Sequence, residues 1–170
     1  LVSPDDPALE GPTKPVGPVY DESQSKKLQQ EKGWTMAPDG AHFRRVVPSP
    51  LPRKIIEMSV IRTLVDLGIV VICAGGGGIP VAYDEDRKLF GVEAVIDKDL
   101  ASALLARGLD ADMFAMLTDV PYVYAGFGTD EQKAIRAAHP DALEQLDFAA
   151  GSMGPKVMGA CRFVRETGKQ

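Results

Sequence analysis

The segment IVVICAGGGGIPV, residues 69–81, joins a continuous apolar run to four consecutive glycines. The β-branched side chains of residues 69–74 predict a strand that is covered on both faces. In a doubly wound sheet, ligands bind at the carboxyl ends of strands, which is where these glycines lie. Glycine lets backbone amides approach an anion closely, so we favour an anion-binding loop over a flexible turn. The loop consists of Gly75, Gly76, Gly77 and Gly78.

Helical and strand patterns alternate on both sides of this loop. Apolar residues recur at helical spacing before Gly68, which is expected to end that helix. After the loop, strands are predicted at 91–96, 111–118 and 122–125, and helices at 97–108, around 141–146 and at 152–168, the last with Ser152 as its cap and Gly168 at its end. This order predicts an α/β fold with a largely parallel sheet and helices on its faces.

The N-terminal part of the chain has a different character. Residues 1–50 are rich in proline and glycine and show little periodic hydrophobicity. We therefore predict a loop-rich flap subdomain, containing a short polar helix from Asp21 to Lys32 and a strand that begins near Phe43. The predicted domains are the flap at 1–50 and a nucleotide-binding α/β lobe at 51–170.

Composition and charge exclude several classes of protein. With 45% hydrophobic and 25% charged residues, the 170-residue chain has the composition of a globular domain. The net charge is −5 and the basic side chains are scattered, which argues against a nucleic-acid partner. The most apolar run, 68–82, is broken by glycines and is too short to span a bilayer. We therefore expect no membrane partner and a cytoplasmic location.

The cysteines and histidines give no sign of a metal site. Cys73 and Cys161 lie in apolar stretches without CxxC spacing, so both are expected to be buried, reduced thiols. His42 and His139 have no second ligand at a useful spacing. We predict no protein-ligated metal.

Two lysines are placed near the starts of predicted helices. The string VIDKD places Lys98 between Asp97 and Asp99, and the string GSMGPK places Lys156 in the first turn of a helix. Each string alone is read more simply as a solvated or capped helix start. Together with the glycine loop, however, they would supply the positive charge that phosphoryl transfer requires. The aspartates would orient the lysines and could help to hold Mg²⁺.

Six strings of this sequence resemble carbamate kinases of the amino acid kinase family in order and spacing. They are PTKPVGP, RRVVPSPLP, CAGGGGIPV, GVEAVIDKDLAS, LTDV and GSMGPKV, and they cover almost the whole chain. The resemblance implies an αβα sandwich, usually homodimeric. It also implies the reaction ATP + carbamate = ADP + carbamoyl phosphate, with Mg²⁺, running towards ATP synthesis in arginine catabolism.

The resemblance also implies roles for individual residues. Lys14 of PTKP would reach from the flap over the carbamate and phosphate, Lys98 and Lys156 would bind the transferring phosphoryl group, and Asp99 would organise these lysines. Asp97 would support them or be linked to the metal, and the four glycines would line the phosphoryl and substrate cavity. The nucleotide would lie against Thr118, Asp119 and Val120, with Phe127 and Met153 on the adenine. Phe127 stands where a tyrosine is common in the family, and core packing is an equally open role for Phe127 and Met153.

Parts of the carbamate kinase pattern are not found in the sequence. The GGNA-type turn and the HGNGP loop are absent, so the fold is expected to be incomplete at the N-terminus, and the strand that usually follows the last helix is also absent. Two alternative functions therefore stay open. One is an amino acid kinase acting on acetylglutamate, aspartate or UMP, which the PTKP flap disfavours. The other is a non-catalytic nucleotide-binding or dimerisation fragment.

Overall fold

The computed structural model describes residues 1–149 and 151–169. The chain forms two compact units. The first contains Leu1–Arg53 and Gly78–Ile96, and the second contains Lys54–Gly77 and the chain from Asp97 onward. Residues 78–96 thus join the N-terminal residues, a grouping that the sequence pattern does not indicate. The division into a flap at 1–50 and a lobe at 51–170 stays a prediction.

The first unit contains a three-stranded antiparallel sheet and one helix. The sheet is formed by β1 (Lys14–Tyr20), β2 (Met36–Asp39) and β3 (His42–Val47) in the order β1-β3-β2, and α1 (Glu22–Lys32) lies between β1 and β2 along the chain. A short hairpin pairs β4 (Val81–Tyr83) with β5 (Leu89–Gly91). The predicted helix and the predicted strand near Phe43 are confirmed.

Helix α1 begins at a complete capping box. The carboxylate of Asp21 accepts a hydrogen bond from the Gln24 amide at 2.8 Å, and the Gln24 side chain accepts one from the Asp21 amide at 3.2 Å. These two bonds satisfy amides that would otherwise lack partners at a helix start. This local signal explains why a largely polar segment still forms a helix.

The second unit consists mainly of helices. They are α2 (Met58–Asp66), α3 (Lys98–Leu109), α4 (Pro140–Leu143) and α5 (Met153–Thr167), with one antiparallel hairpin of β6 (Val123–Ala125) and β7 (Lys133–Ile135). Gly68 and Gly168 have positive φ at the ends of α2 and α5, as predicted. The predicted strand at 122–125 is found as β6, and the helix predicted around 141–146 is shorter and begins one residue earlier.

Close packing of α3 against α5 forms the core of this unit. A Cβ placed on Gly159 of α5 would lie 3.2 Å from the backbone oxygen of Asp99 and 3.4 Å from the Cβ of Ala103, both in α3. Glycine therefore allows the two helices to approach closely. Phe163 of α5 is 1% exposed, and its ring centroid lies 5.6 Å from that of Phe114. The two helix starts that carry Asp99 and Lys156 are held together by this packing.

The predicted parallel sheet is not seen in residues 1–149 and 151–169, where every strand pair is antiparallel. The predicted strands at 69–74 and 111–118 form no ladder, and β5 ends at Gly91 rather than continuing to residue 96. Val70 and Ile72 are 90% and 98% exposed, so no neighbouring backbone or side chain covers them. A strand requires a hydrogen-bonded neighbour, which local sequence does not provide. The αβα sandwich stays a prediction.

The prediction that both cysteines are buried, reduced thiols is confirmed in part. Both are free thiols, but only Cys161 is buried, whereas Cys73 is partly covered. Burial raises the pKa of the Cys161 thiol. Among the helices of the described residues, none is long and apolar enough to cross a membrane.

Candidate active site

The start of α3 is fixed by an aspartate cap. The Asp97 carboxylate accepts hydrogen bonds from the amides of Asp99 and Leu100, at 2.9 and 3.3 Å. Both aspartates are buried, with Asp97 6% and Asp99 8% exposed. The plainer sequence interpretation, a solvated helix start, is therefore wrong for these two residues. Capping by Asp97 places Asp99 in the first turn of α3, with its carboxylate free to take a partner from another helix.

That partner is Lys156, in the first turn of α5. Its Nζ atom lies 3.1 and 3.0 Å from the two carboxylate oxygens of Asp99. The side chains are 18% and 11% exposed, so the pair is largely removed from water. Loss of one member of such a pair leaves an uncompensated buried charge, which typically costs about 3–5 kcal/mol.

The ion pair leaves the lysine able to bind a ligand. An ammonium group has three N–H donors. Among the described residues, the hydrogen bonds of Lys156 go only to Asp99 and use at most two of these donors. Asp99 therefore holds the ammonium in place while one N–H is left for a ligand. The structure thus brings Asp99 into contact with one of the two lysines that it is predicted to organise.

The start of α5 differs from the sequence prediction. Ser152 stands at the N-cap position, but its side chain makes no capping hydrogen bond and its backbone lies at φ −138°, ψ −84°. Instead, the carbonyl oxygen of Ala149 accepts hydrogen bonds from the amides of Ser152 and Gly154, at 3.1 and 2.9 Å. Pro155 has no amide hydrogen to offer. Few backbone amides are thus available to bind an anion at this helix start. The positive charge that attracts an anion here comes mainly from Lys156.

This geometry makes Ser152 dispensable for stability. We expect Ser152→Ala to change the free energy of unfolding by less than about 0.5 kcal/mol, against about 1 kcal/mol for the loss of a working cap. Urea unfolding of the complete protein measures the difference. Asp21→Ala is the matched control, because Asp21 does cap its helix, and it should lower stability. A loss for Ser152→Ala as large as that for Asp21→Ala would contradict the observed helix start.

Lys156 lines a cavity of about 480 Å³ in the second unit. Such a volume is within the usual range for small-molecule sites. The lining residues are Thr118, Asp119, Val120, Tyr124, Gly126, Phe127, Asp147, Phe148, Ala149, Ser152, Met153 and Lys156. Aromatic and sulfur-containing side chains suit a flat ring, and a lysine suits an anionic group. The cavity can therefore hold a molecule with one flat and one negatively charged part.

Comparison with known proteins identifies the family. The sequence profile of the amino acid kinase family matches residues 20–170. The chain belongs to the amino acid kinase family. The carbamate kinases of Haemophilus influenzae and Rhizobium meliloti are 56% and 55% identical to this amino acid kinase chain, and each alignment covers 96% of it. The alignments cover 53% and 51% of those relatives, so the chain spans about half the length of the curated relatives it matches.

A solved structure gives the same result. The carbamate kinase of Giardia lamblia bound to AMP-PNP is 43% identical, with a TM-score of 0.84 over 99% of this chain and 55% of that chain. The resemblance to carbamate kinases seen in the sequence is thereby confirmed. The fold of the present chain is that of an amino acid kinase, with mixed helices and strands.

The structure brings together the five residues predicted to lie against the nucleotide. Thr118, Asp119, Val120, Phe127 and Met153 all line the cavity with Lys156. Phe127 is 69% exposed, so core packing, its alternative role, is wrong. Met153 is half-buried and faces the same cavity.

Other residues that were predicted to form the site do not line this cavity. Lys98, the first residue of α3, is exposed and is not among the lining residues. Lys14 begins β1 in the first unit. The glycine loop makes a tight turn in which the Gly77 amide donates to the Ala74 carbonyl at 2.7 Å. Gly75, Gly77 and Gly78 have positive φ there, which glycine tolerates best.

Several lining residues were missed by sequence reasoning. Tyr124 lies in a short strand, and Asp147 and Phe148 lie in the irregular segment before α5. No motif marks them. For Asp147 and Phe148 the usable signal was position, because residues just before a helix that carries a site lysine are close to that site along the chain.

Proposed function

We propose that the complete protein is a carbamate kinase that catalyses ATP + carbamate = ADP + carbamoyl phosphate. The observation that carries this proposal is the buried Asp99–Lys156 pair, which presents a fixed ammonium to a cavity lined by aromatic rings. We propose carbamate as the substrate because the similar proteins are named carbamate kinases. An amino acid kinase with a different substrate could have the same Asp99–Lys156 pair. The identity of the substrate therefore needs a separate test.

Lys156 would act mainly on the transition state. In phosphoryl transfer, the protein contributes positioned charge rather than covalent chemistry. An ammonium held by Asp99 requires little reorganisation when negative charge moves onto the transferring oxygens. Lys98 and Lys14 would add charge on the same phosphoryl group and on the carbamate. Lys98 is available for this role because it is exposed at the start of α3.

The cavity would bind the nucleotide. Phe127 and Met153 would pack on the adenine, and Thr118, Asp119 and Val120 would line the same pocket. The glycines of 75–78 would line the phosphoryl and substrate region, where positive φ angles turn backbone amides towards an anion. In these assignments the exposed ring of Phe127 stacks on the base, whereas the buried ring of Phe163 belongs to the core.

Mg²⁺ would enter with the nucleotide. Among the described residues, no group of three or more His, Cys, Asp or Glu side chains could hold a metal ion. Asp97 caps α3, and both oxygens of Asp99 are bonded to Lys156. We therefore assign no dedicated Mg²⁺ site to these carboxylates. Mg²⁺ is commonly held by substrate phosphates with one or two carboxylates, which fits delivery as a nucleotide complex.

Three further proposals concern the complete protein in the cell. Its reaction runs towards ATP synthesis in arginine catabolism, it forms a homodimer, and it works in the cytoplasm. The resemblance to carbamate kinases supports all three. Sedimentation of the purified protein tests the homodimer, and ATP formation from arginine in cells with and without the protein tests the direction.

The first experiment is ATP formation from ADP and carbamoyl phosphate by the complete protein. We expect ATP to form and carbamate to be released. Acetylglutamyl phosphate, aspartyl phosphate and UDP are the matched alternatives in the same assay. ATP from one of these alone would overturn the carbamate assignment, and ADP binding without any transfer would favour the non-catalytic nucleotide-binding module.

A further inference from the structure

The charges of the cavity are not all explained by phosphate binding. Of its described lining residues, Lys156 is the only cation, and its charge is already balanced by Asp99. Asp119 and Asp147 line the same cavity. A carboxylate beside a phosphate is unfavourable because like charges repel. A carboxylate that does not share Mg²⁺ with the phosphates suits a part of the nucleotide that donates hydrogen bonds.

The two carboxylates differ in their surroundings. Asp119 lies beside the Thr118 hydroxyl, with 3.2 Å between Oγ1 and the carboxylate oxygen. Within 1–149 and 151–169, no hydrogen bond or ion pair to the Asp147 side chain is seen, and the residue is exposed. Asp147 therefore lies where the cavity opens to solvent, with both oxygens available to a ligand.

The neighbours of Asp147 indicate which part of the nucleotide it meets. Phe148, the next residue, lines the cavity with Phe127 and Tyr124, whose ring centroids are 6.0 Å apart. These rings suit the flat base, and Lys156 suits the phosphates. The ribose connects base to phosphates, and its two hydroxyls are the donors that lie between them. A solvent-facing carboxylate beside the base-binding rings is placed for those hydroxyls.

We propose that Asp147 accepts hydrogen bonds from the ribose 2′- and 3′-hydroxyls and makes the site selective for ribonucleotides. This proposal rests on the assignment of the cavity to a nucleotide. A carboxylate has two oxygens, so it can accept from both hydroxyls of a diol. Carboxylates bind ribose hydroxyls in the same way in dinucleotide-binding folds. Asp147 is a specificity residue and takes no part in moving the phosphoryl group.

The test compares nucleotide analogues with variants of the complete protein. The binding of ADP, 2′-deoxy-ADP, 2′,3′-dideoxy-ADP and IDP is measured by calorimetry with the unsubstituted protein and with Asp147→Ala. We expect the unsubstituted protein to prefer ADP over dideoxy-ADP by about tenfold or more, because hydrogen bonds to a charged group are the stronger ones. Asp147→Ala should remove that preference and leave dideoxy-ADP binding nearly unchanged. Asp112→Ala is the matched control, because Asp112 is an exposed carboxylate of the same unit that does not line the cavity.

Each outcome decides the proposal. An unchanged ratio of ADP to dideoxy-ADP binding in Asp147→Ala would overturn it. A change confined to the ratio of ADP to IDP would also overturn it, because it would place Asp147 at the adenine amino group. Failure of the carbamate kinase assignment would appear elsewhere, as normal ADP binding without ATP formation from carbamoyl phosphate.

Discussion

Lys156→Ala in the complete protein should lower kcat by about 10²–10³-fold and raise the Kd for ADP by less than about tenfold. The lysine is held on Asp99 by two hydrogen bonds of 3.0 and 3.1 Å, and we propose that its remaining donor capacity binds the phosphoryl group. Its charge is needed most when the transferring oxygens are most negative. Steady-state kinetics together with ADP calorimetry separate the two effects.

Stability must be separated from catalysis in this experiment, because removal of Lys156 leaves Asp99 charged and 8% exposed. A double variant, Asp99→Asn with Lys156→Met, removes both charges at once. We expect it to be more stable than Lys156→Ala, since no unpaired buried charge remains, and still to have little activity. Equal losses in ADP affinity and in kcat for Lys156→Ala would show that Lys156 acts on the ground state and would contradict its assigned role.

Phe163→Ala should reduce the free energy of unfolding by about 3–5 kcal/mol, the usual cost of truncating a buried phenylalanine to alanine. Phe163 is 1% exposed on α5 and packs on Phe114. The resulting cavity would lie in the core that holds α3 against α5. Urea unfolding measures the loss, and Phe163→Leu should cost less because it fills more of the space.

Phe127→Ala provides the matched control for this truncation. Phe127 is 69% exposed and lines the cavity. Its removal should change the free energy of unfolding by no more than about 0.5 kcal/mol but should weaken ADP binding. Equal losses of unfolding free energy for Phe127→Ala and Phe163→Ala would contradict the assignment of Phe163 to the core and of Phe127 to the ligand-binding cavity.

Sequence patterns predict the helices of this chain well because their signals are local. The capping box at Asp21, the Asp97 cap and the terminal glycine Gly168 each act within a few residues of a helix end. The cavity-lining residues Thr118 and Met153 were also predicted, from short motifs that resemble those of carbamate kinases. Motifs that bind a common ligand keep their residue types, so their positions can be read before the fold is known.

The strands were harder to predict because pairing is not local. Residues 69–74 have the composition of a buried strand, yet Val70 and Ile72 are exposed in the described structure. Hydrophobicity shows that a segment can enter a sheet, but only a neighbouring backbone makes it a strand. The predicted parallel sheet therefore depended on partners that the sequence of the segment does not specify.

By itself, the sequence determined the family, the helices and the residue types that we propose for phosphoryl transfer. Only the tertiary structure decided which of these residues meet. Asp99 and Lys156 are 57 residues apart, and they form an ion pair because Gly159 lets α5 approach α3 closely. The structure also shows that the Ser152 side chain makes no capping hydrogen bond and that Asp147 lines the cavity. Long-range packing sets such contacts, because side chains distant in sequence meet only where whole helices pack together.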